Sequence, residues 1–133
     1  MRTRGFCDLI DITPDLQQFV ADLPHPAGAV AIFVPGATAG VTTIEYESGA
    51  VQDFQETMDR LVPPSDDYAH NARWGDGNGF SHVRSALVGP SVLVPFEDHR
   101  PSLGTWQQVV VVDFDNRPRK RTVLLSALRG LDS

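Results

Sequence analysis

The apolar positions change period several times along the chain, and each change predicts an element. Residues 6–12, "FCDLIDI", read as a strand. Thr13-Pro14 then supplies an N-cap and a proline at the first helical position, and Leu16, Phe19, Val20 and Leu23 fall at i, i+3, i+4 and i+7. That spacing predicts a helix to about Leu23. After the breaker "LPHPAG", "AVAIFV" (29–34) reads as a buried strand, and the β-branched "AGVTTIEY" (39–46) as its antiparallel or crossing partner. A second helix is expected over roughly 49–61, with Val51, Phe54, Met58 and Leu61 on one face. Pro63-Pro64 opens a long loop, and Phe80, Val83 and Leu87 mark a third, short helix closed by Gly89-Pro90.

The remainder reads as β: 91–96, 104–114 and 121–128, joined by short polar connections and expected to lie as neighbouring antiparallel strands. Strands come in runs with helices between the runs. The pattern predicts one α+β domain over 1–133, a mostly antiparallel, sandwich-like sheet with two to four helices on one face.

Composition narrows the function classes. A net charge of −6 argues against a nucleic-acid binder. The one basic run, "RPRKR" (117–121), reads as a solvated turn. Cys7 is the only cysteine, so no intrachain disulfide forms, and it reads as a small buried hydrophobe in a strand. No apolar run approaches the ~18 residues of a membrane span, and the start of the chain lacks a signal-peptide pattern. A cytoplasmic protein without membrane or nucleic-acid partners is expected.

The chemistry concentrates in "YAHNARWGDGNGFSH" (68–82), where His70 and His82 bracket Asp76, Asn78 and three glycines. Imidazoles are common ligands for zinc and similar metals, and Asp76 or Glu45 can supply oxygen. The 12-residue spacing matches no metal signature, so spacing alone favours the plainer reading, with His70 an exposed loop histidine and His82 capping or packing a helix. "LGTWQQ" (103–108) sets a hydroxyl, an indole and an amide in succession, and Arg100 beside His99 can hold an anion.

Together "YAH…DGNGFSHVRSALVGPS", "VPF…HRPSLGTWQQVVVVDFD" and "RKRTVL" resemble the YjbQ family, also labelled the secondary thiamine-phosphate synthase enzyme family, over about Gly28 to Leu128. The resemblance implies a compact α+β subunit that forms a homotrimer, with a polar pocket near a subunit boundary. By matching position it implies His70, His82, Glu45 and Asn78 as catalytic candidates, with His70 and His82 as metal ligands. It likewise implies Tyr68, Ser85, Thr105 and Gln107 as contacts for a phosphorylated or anionic ligand, and Arg100 joins them on the residue reading. A divalent metal (Zn, Mn or Mg) is the expected cofactor. Where the family usually carries His-Thr-Thr or His-Thr-Ser, this chain has Gly36-Ala37-Thr38, and His99-Arg100 stands where the family usually has Gly-Arg. Three readings follow. The first is phosphate or pyrophosphate chemistry, with weak thiamine-phosphate formation as its named form and Arg84 or Arg100 taking the leaving group's charge. The second is metal or anion binding with reduced or lost catalysis, and the third a structural trimer.

Overall fold

A computed structural model of the protein describes residues 1–129. In chain order the elements are β1 (Arg2–Thr3), β2 (Asp8–Asp11), α1 (Thr13–Ala21), β3 (Gly28–Phe33), β4 (Ala39–Ile44), α2 (Ser48–Leu61), α3 (Ala69–Trp74), α4 (Gly79–Val88), β5 (Ser91–Glu97), β6 (Arg100–Pro101), β7 (Gln108–Asp113), β8 (Arg119–Lys120) and β9 (Leu124–Leu128). One sheet has the order β2-β7-β4, a second the order β6-β5-β3-β9, and β1 pairs with β8. Every pairing is antiparallel. The α+β, sandwich-like expectation therefore holds. No helix among the described residues is long and apolar enough to cross a membrane.

β7 explains the layout. Side chains alternate across a strand, so its unbroken valine run needs cover on both faces. Val109 and Val111 face the other sheet, in a core with Val30, Ile32, Val94 and Phe96 that Leu16 and Val20 of α1 help to close. Val110 and Val112 face the opposite way, against Leu9, Met58 and Phe114 beneath α2. Cys7 lies in this second core, where burial pushes its thiol up to about 12. It sits at φ 102 just before β2 and outside any strand. The thiol is a buried hydrophobe and not a nucleophile.

Several expectations need correction. The three C-terminal strands are not neighbours: β3 lies between β5 and β9, and β7 belongs to the other sheet. β5 alternates buried and exposed positions and β9 is exposed at most positions, whereas β7 is buried almost throughout and must be central. Of the two readings for β3 and β4 the antiparallel pairing fails and the crossing one holds, since they lie in different sheets. Residues 104–107 form a turn, with Gln107 N–H donating to the Gly104 carbonyl at 3.1 Å. The expected long loop contains α3. Nor do the helices share one face: α2 covers the three-stranded sheet, whereas α1 packs between the sheets beside β6 and β7.

α4 lies on β4. A Cβ at Gly40 would meet the Gly89 carbonyl oxygen and Val88 Cγ1 at 2.8 Å each, so glycine permits that approach. Its buried face is Phe80, Ser81, Arg84 and Ser85, while Val83 and Leu87 point outward at 42% and 65% exposure. The helix is where the sequence predicts it, but of its apolar stripe only Phe80 faces the core, and Val83 and Leu87 face away. Arg84 occupies the place the stripe suggests for a leucine.

Arg84 is wholly buried, donating from Nε to the Val62 carbonyl at 3.0 Å and from Nη2 to Asp59 Oδ1 at 3.0 Å. Its guanidinium lies 5.0 Å from the Phe80 ring centroid and 5.9 Å from that of Phe114. It is a structural cation and is not free to take a leaving group's charge. Arg84→Ala should destabilise the fold by about 3 kcal/mol or more, because it opens a cavity and strands the Val62 carbonyl. Arg84→Met should cost less by refilling the space. Urea midpoints of the two variants check this ranking, and an unchanged midpoint for Arg84→Ala would contradict it.

Candidate functional site

α3 and α4 bring His70 and His82 together. Their ring centroids are 4.3 Å apart, with the planes tilted by 39°. The turn between the helices makes this possible. Gly75 ends α3 at φ 72, and Gly79 opens α4 against Tyr68, whose Cβ would lie 2.6 Å from a Cβ at position 79. Asn71 Oδ1 accepts from the Gly79 N–H at 2.8 Å, pinning the start of α4 to α3.

Asp76 sits on that turn with Oδ1 3.4 Å from His70 Nδ1. The pair is close enough for an ion pair when the imidazole is protonated, yet it is not aligned as a hydrogen bond. His70 Nδ1 is left buried without a hydrogen-bonding partner. Asn78 lies between two carboxylates. With its amide one way round, Nδ2 is 3.4 Å from Asp115 Oδ1; turned over, it donates to Asp76 Oδ1 and Oδ2 at 3.0 and 3.2 Å. The shorter bonds favour the second orientation. An open cavity of ≈ 380 Å³ adjoins this cluster, lined by Asp76, Asn78, Asn116, Arg117 and Arg119.

Beneath the cavity runs a clasp of buried charge. Asp113 and Asp115 are both 0% exposed. Arg121 grips Asp113 with Nε and Nη2 at 2.7 and 3.0 Å, and its Nη2 also donates to Thr38 Oγ1. Arg119 Nε donates to Asp115 Oδ2 at 2.7 Å, and the Thr3 hydroxyl donates to Asp113. The basic run is thus not merely a solvated turn: two of its arginines neutralise buried carboxylates. Asn116 ties the clasp to the histidine turn, donating from Nδ2 to the Asp76 carbonyl at 2.9 Å.

The other sequence candidates are placed elsewhere or committed to other contacts. Tyr68 is the N-cap residue of α3 and its hydroxyl donates to the Pro63 carbonyl at 2.6 Å; burial raises its pKa. Ser85 is buried and donates to the Ala39 carbonyl at 2.6 Å, fastening α4 to β4. Glu45 follows the far end of β4, whose residues run from Ala39, opposite Asp113, to Ile44, opposite Gln108. At ~3.3 Å per residue those ends are about 17 Å apart. Thr105 and Gln107 share the Glu45 end, where Gln107 Nε2 donates to Thr43 Oγ1 at 3.1 Å. Arg100 is exposed in β6, beyond the end of β5 remote from Ser91.

His99 does not replace the missing histidine within this chain. Asp98 and His99, at φ 50 and 59, form a two-residue hairpin loop beyond the Gly28 end of β3, whereas Gly36 follows the Phe33 end. His99 Nδ1 instead lies 3.3 Å from the Val20 carbonyl of α1. The structure therefore brings His70, His82 and Asn78 together beyond one end of β4 and Glu45, Thr105 and Gln107 at the other, with Arg100 apart in the β5–β6 hairpin beside α1. Asp76, which the sequence offers as an oxygen donor, joins the first group, as do Asn116 and Arg119, which the sequence does not single out.

A family model described as "UPF0047 protein YjbQ-like" matches residues 1–130. The chain belongs to the YjbQ/UPF0047 family. A UPF0047 protein of Mycobacterium bovis is 40% identical over 122 residues, which is 92% of each chain. YugU of Bacillus subtilis is 33% identical over 123 residues, covering 91% of this chain and 89% of its own. Among solved structures, a YbjQ-like protein of unknown function from Sulfolobus solfataricus superposes with a TM-score of 0.89 at 25% identity, covering 98% of this chain and 94% of that one. A YjbQ/UPF0047 family protein from Clostridium acetobutylicum gives 0.84 at 27% identity and 96% coverage of both chains.

Gly36, where the resemblance expects the family's histidine, has φ +140, and a Cβ there would meet Arg121 Nη1 at 2.9 Å. Gly36→His should therefore lower stability by about 1 kcal/mol or more through left-handed strain, and should loosen Arg121 from Asp113 and Thr38. Gly36→Ala should carry most of the same cost. A thermal midpoint unchanged in both would refute the strain argument.

Burial by itself would raise the Asp113 and Asp115 carboxyls. Arg121 and the Thr3 hydroxyl overcome it at Asp113, and the Asn116 N–H and Arg119 overcome it at Asp115, so both are held below the usual carboxylate range. A depressed folded value means stability fully present above the unfolded carboxylate value near ~4 and lost as pH falls through the folded values. Urea unfolding should show that acid loss. In Asp113→Asn the protein should be weaker at pH near ~6 and the acid slope shallower. A slope identical to wild type would remove Asp113 from the account.

Proposed function

We infer that the His70–His82 end is a site for low-turnover phosphate-ester or diphosphate chemistry, with thiamine-phosphate formation as its named form. One observation carries this reading. Two imidazoles and the Asp76 carboxylate stand in contact distance beside an open cavity that also presents Arg117 and Arg119. Imidazoles transfer protons near neutral pH, and arginines hold phosphate oxygens. In the named reaction a thiazole nitrogen attacks the methylene carbon of a pyrimidine diphosphate. The carbon–oxygen bond breaks and pyrophosphate leaves with the electron pair. Charge on the departing oxygens is what Arg117 is placed to meet, since Arg119 is already engaged with Asp115.

A second reading, metal or anion binding with reduced or lost catalysis, is favoured by the partnerless His70 Nδ1 and by Gly36. Zinc, manganese or magnesium would be the metal, with His70 and His82 as its imidazole ligands. Among the described residues, no group of three or more His, Cys, Asp or Glu is placed to hold a metal ion. The donor set within one chain does not fit a complete centre. We further propose a homotrimer, which the exposed apolar strand positions support.

Calorimetry with pyrophosphate and, separately, with zinc separates the readings. His70→Ala and His82→Ala should each weaken binding of the same species by about tenfold, a charged hydrogen bond's worth. Arg117→Ala should weaken pyrophosphate and leave zinc unchanged. Release of pyrophosphate from the thiamine-phosphate substrates, lost in His82→Ala, supports the first reading. Zinc binding without turnover supports the second, and binding of neither species overturns both.

A further inference from the structure

We infer that the ribbon formed by β1 and β8 carries a second anion subsite, in which Arg2 and Lys120 hold the phosphate monoester of a second phosphorylated substrate. The identity of that ligand rests on the two-substrate chemistry inferred above, whereas the subsite rests on the geometry of the ribbon.

The cations of this chain are unevenly placed. Of its 11 lysines and arginines, six (Arg2, Arg4, Arg117, Arg119, Lys120 and Arg121) lie on or beside the ribbon, in a chain of net charge −6. Arg119 and Arg121 are matched by Asp115 and Asp113, and Arg4 by Asp8. Among the described residues, no carboxylate pairs with Arg2, Arg117 or Lys120. Three positive charges are left over in one region.

The register sets two of them side by side. Met1 and Arg121 exchange both backbone hydrogen bonds, each 2.8 Å long. Arg2 and Lys120, one step along, therefore form the closely spaced kind of antiparallel pair, with both side chains on one face. The next pair turns inward, where the Thr3 hydroxyl donates to Asp113 and Arg119 donates to Asp115. Alternation leaves Arg2 and Lys120 pointing out, and both are exposed. Like charges directly opposite one another destabilise a ladder. An anion seated between them removes that repulsion.

The ribbon also offers the space. A cavity of ≈ 270 Å³ is lined by Arg2, Thr3, Pro118, Arg119 and Lys120. Arg119 lines the ≈ 380 Å³ cavity of the histidine end as well, so the two adjoin. Arg117, which faces the departing pyrophosphate, is three residues from Lys120, at most about 11 Å along the chain. Joining two phosphorylated substrates brings two anions into one site, where they repel unless each has its own cations. Arg117 serves the diphosphate, and the thiazole's monoester needs a separate holder. The Arg2 guanidinium can take two phosphate oxygens and the Lys120 ammonium a third. Because Thr3 and Arg119 fasten the ribbon to buried carboxylates from below, its backbone is set before a ligand arrives.

Amide NMR of the full-length protein, titrated with inorganic phosphate at constant ionic strength against a chloride reference, tests the subsite. In the wild type the Thr3, Arg119 and Lys120 amides should shift to saturation. Arg2→Gln and Lys120→Gln should each raise the dissociation constant about tenfold, a charged hydrogen bond's worth. Arg100→Gln, which removes another exposed charge in the β5–β6 hairpin, should leave it unchanged. Lys120→Gln should melt no lower than wild type, because it relieves a repulsion. A lower midpoint would make Lys120 a structural cation and overturn the proposal. Ribbon amides that follow phosphate no more than chloride, or phosphate binding indifferent to both ribbon substitutions, would overturn it too, whatever happens at the histidine end. Saturable phosphate binding at the ribbon without pyrophosphate binding at the histidine end would uphold the subsite and overturn the two-substrate reading.

Discussion

The end of β7 carries the constraint on which the rest depends. A strand buried on both faces delivers two aspartates, Asp113 and Asp115, into a place without water. Buried carboxylates remain charged only with partners at hand, and removing one partner is far more costly than never having had the pair. The chain answers by folding 117–121 back, so that Arg121 grips Asp113 and Arg119 grips Asp115. That return brings β8 against β1, with the Arg121 N–H donating to the Met1 carbonyl at 2.8 Å, and so fixes the N-terminal segment too.

The clasp also sets the floor of the candidate site. The Asn116 backbone N–H donates to Asp115 Oδ1 at 2.8 Å, its side-chain amide holds the Asp76 carbonyl, and Asp76 faces His70. Each link is a polar contact between groups with few alternatives, so the geometry of the imidazoles follows from an ion pair formed for stability. The Glu45, Thr105 and Gln107 group stands at the other end of β4, outside this chain of contacts. The Gln107 amide is engaged in shaping the 104–107 turn, its Oε1 accepting from the Gly104 N–H at 3.0 Å. A site built from this chain is therefore the histidine end alone.

Much of the fold is legible in the sequence because burial periodicity dominates it. The stripe of Leu16, Phe19, Val20 and Leu23 packs against the core as its spacing predicts. The valine run at 109–112 signals cover on both faces, though the expectation of three adjacent C-terminal strands overlooks that such a strand must sit in the middle of its own sheet. The clasp was also written in the sequence: aspartates at 113 and 115 alternate, and so do arginines at 119 and 121. Reading charge as a solvated turn misses that complementarity, since a strand end gives no local hint of burial. Arg84 defeats periodicity outright, because an arginine between two phenylalanines fills a position that the pattern reserves for an apolar residue. Which polar residues meet was less accessible still. His70 and His82 are joined by a turn whose glycines permit it, whereas Glu45 and Gln107 are separated from them by the length of a strand.

The claim that the carboxylate clasp positions the histidine site is tested most directly by side-chain nitrogen NMR of wild type and Asp115→Asn. If the clasp sets the imidazole geometry, the ring resonances of His70 and His82 shift in the variant, while those of His25 and His99, which lie outside its contacts, do not. Unchanged His70 and His82 resonances in a folded Asp115→Asn protein would contradict the account.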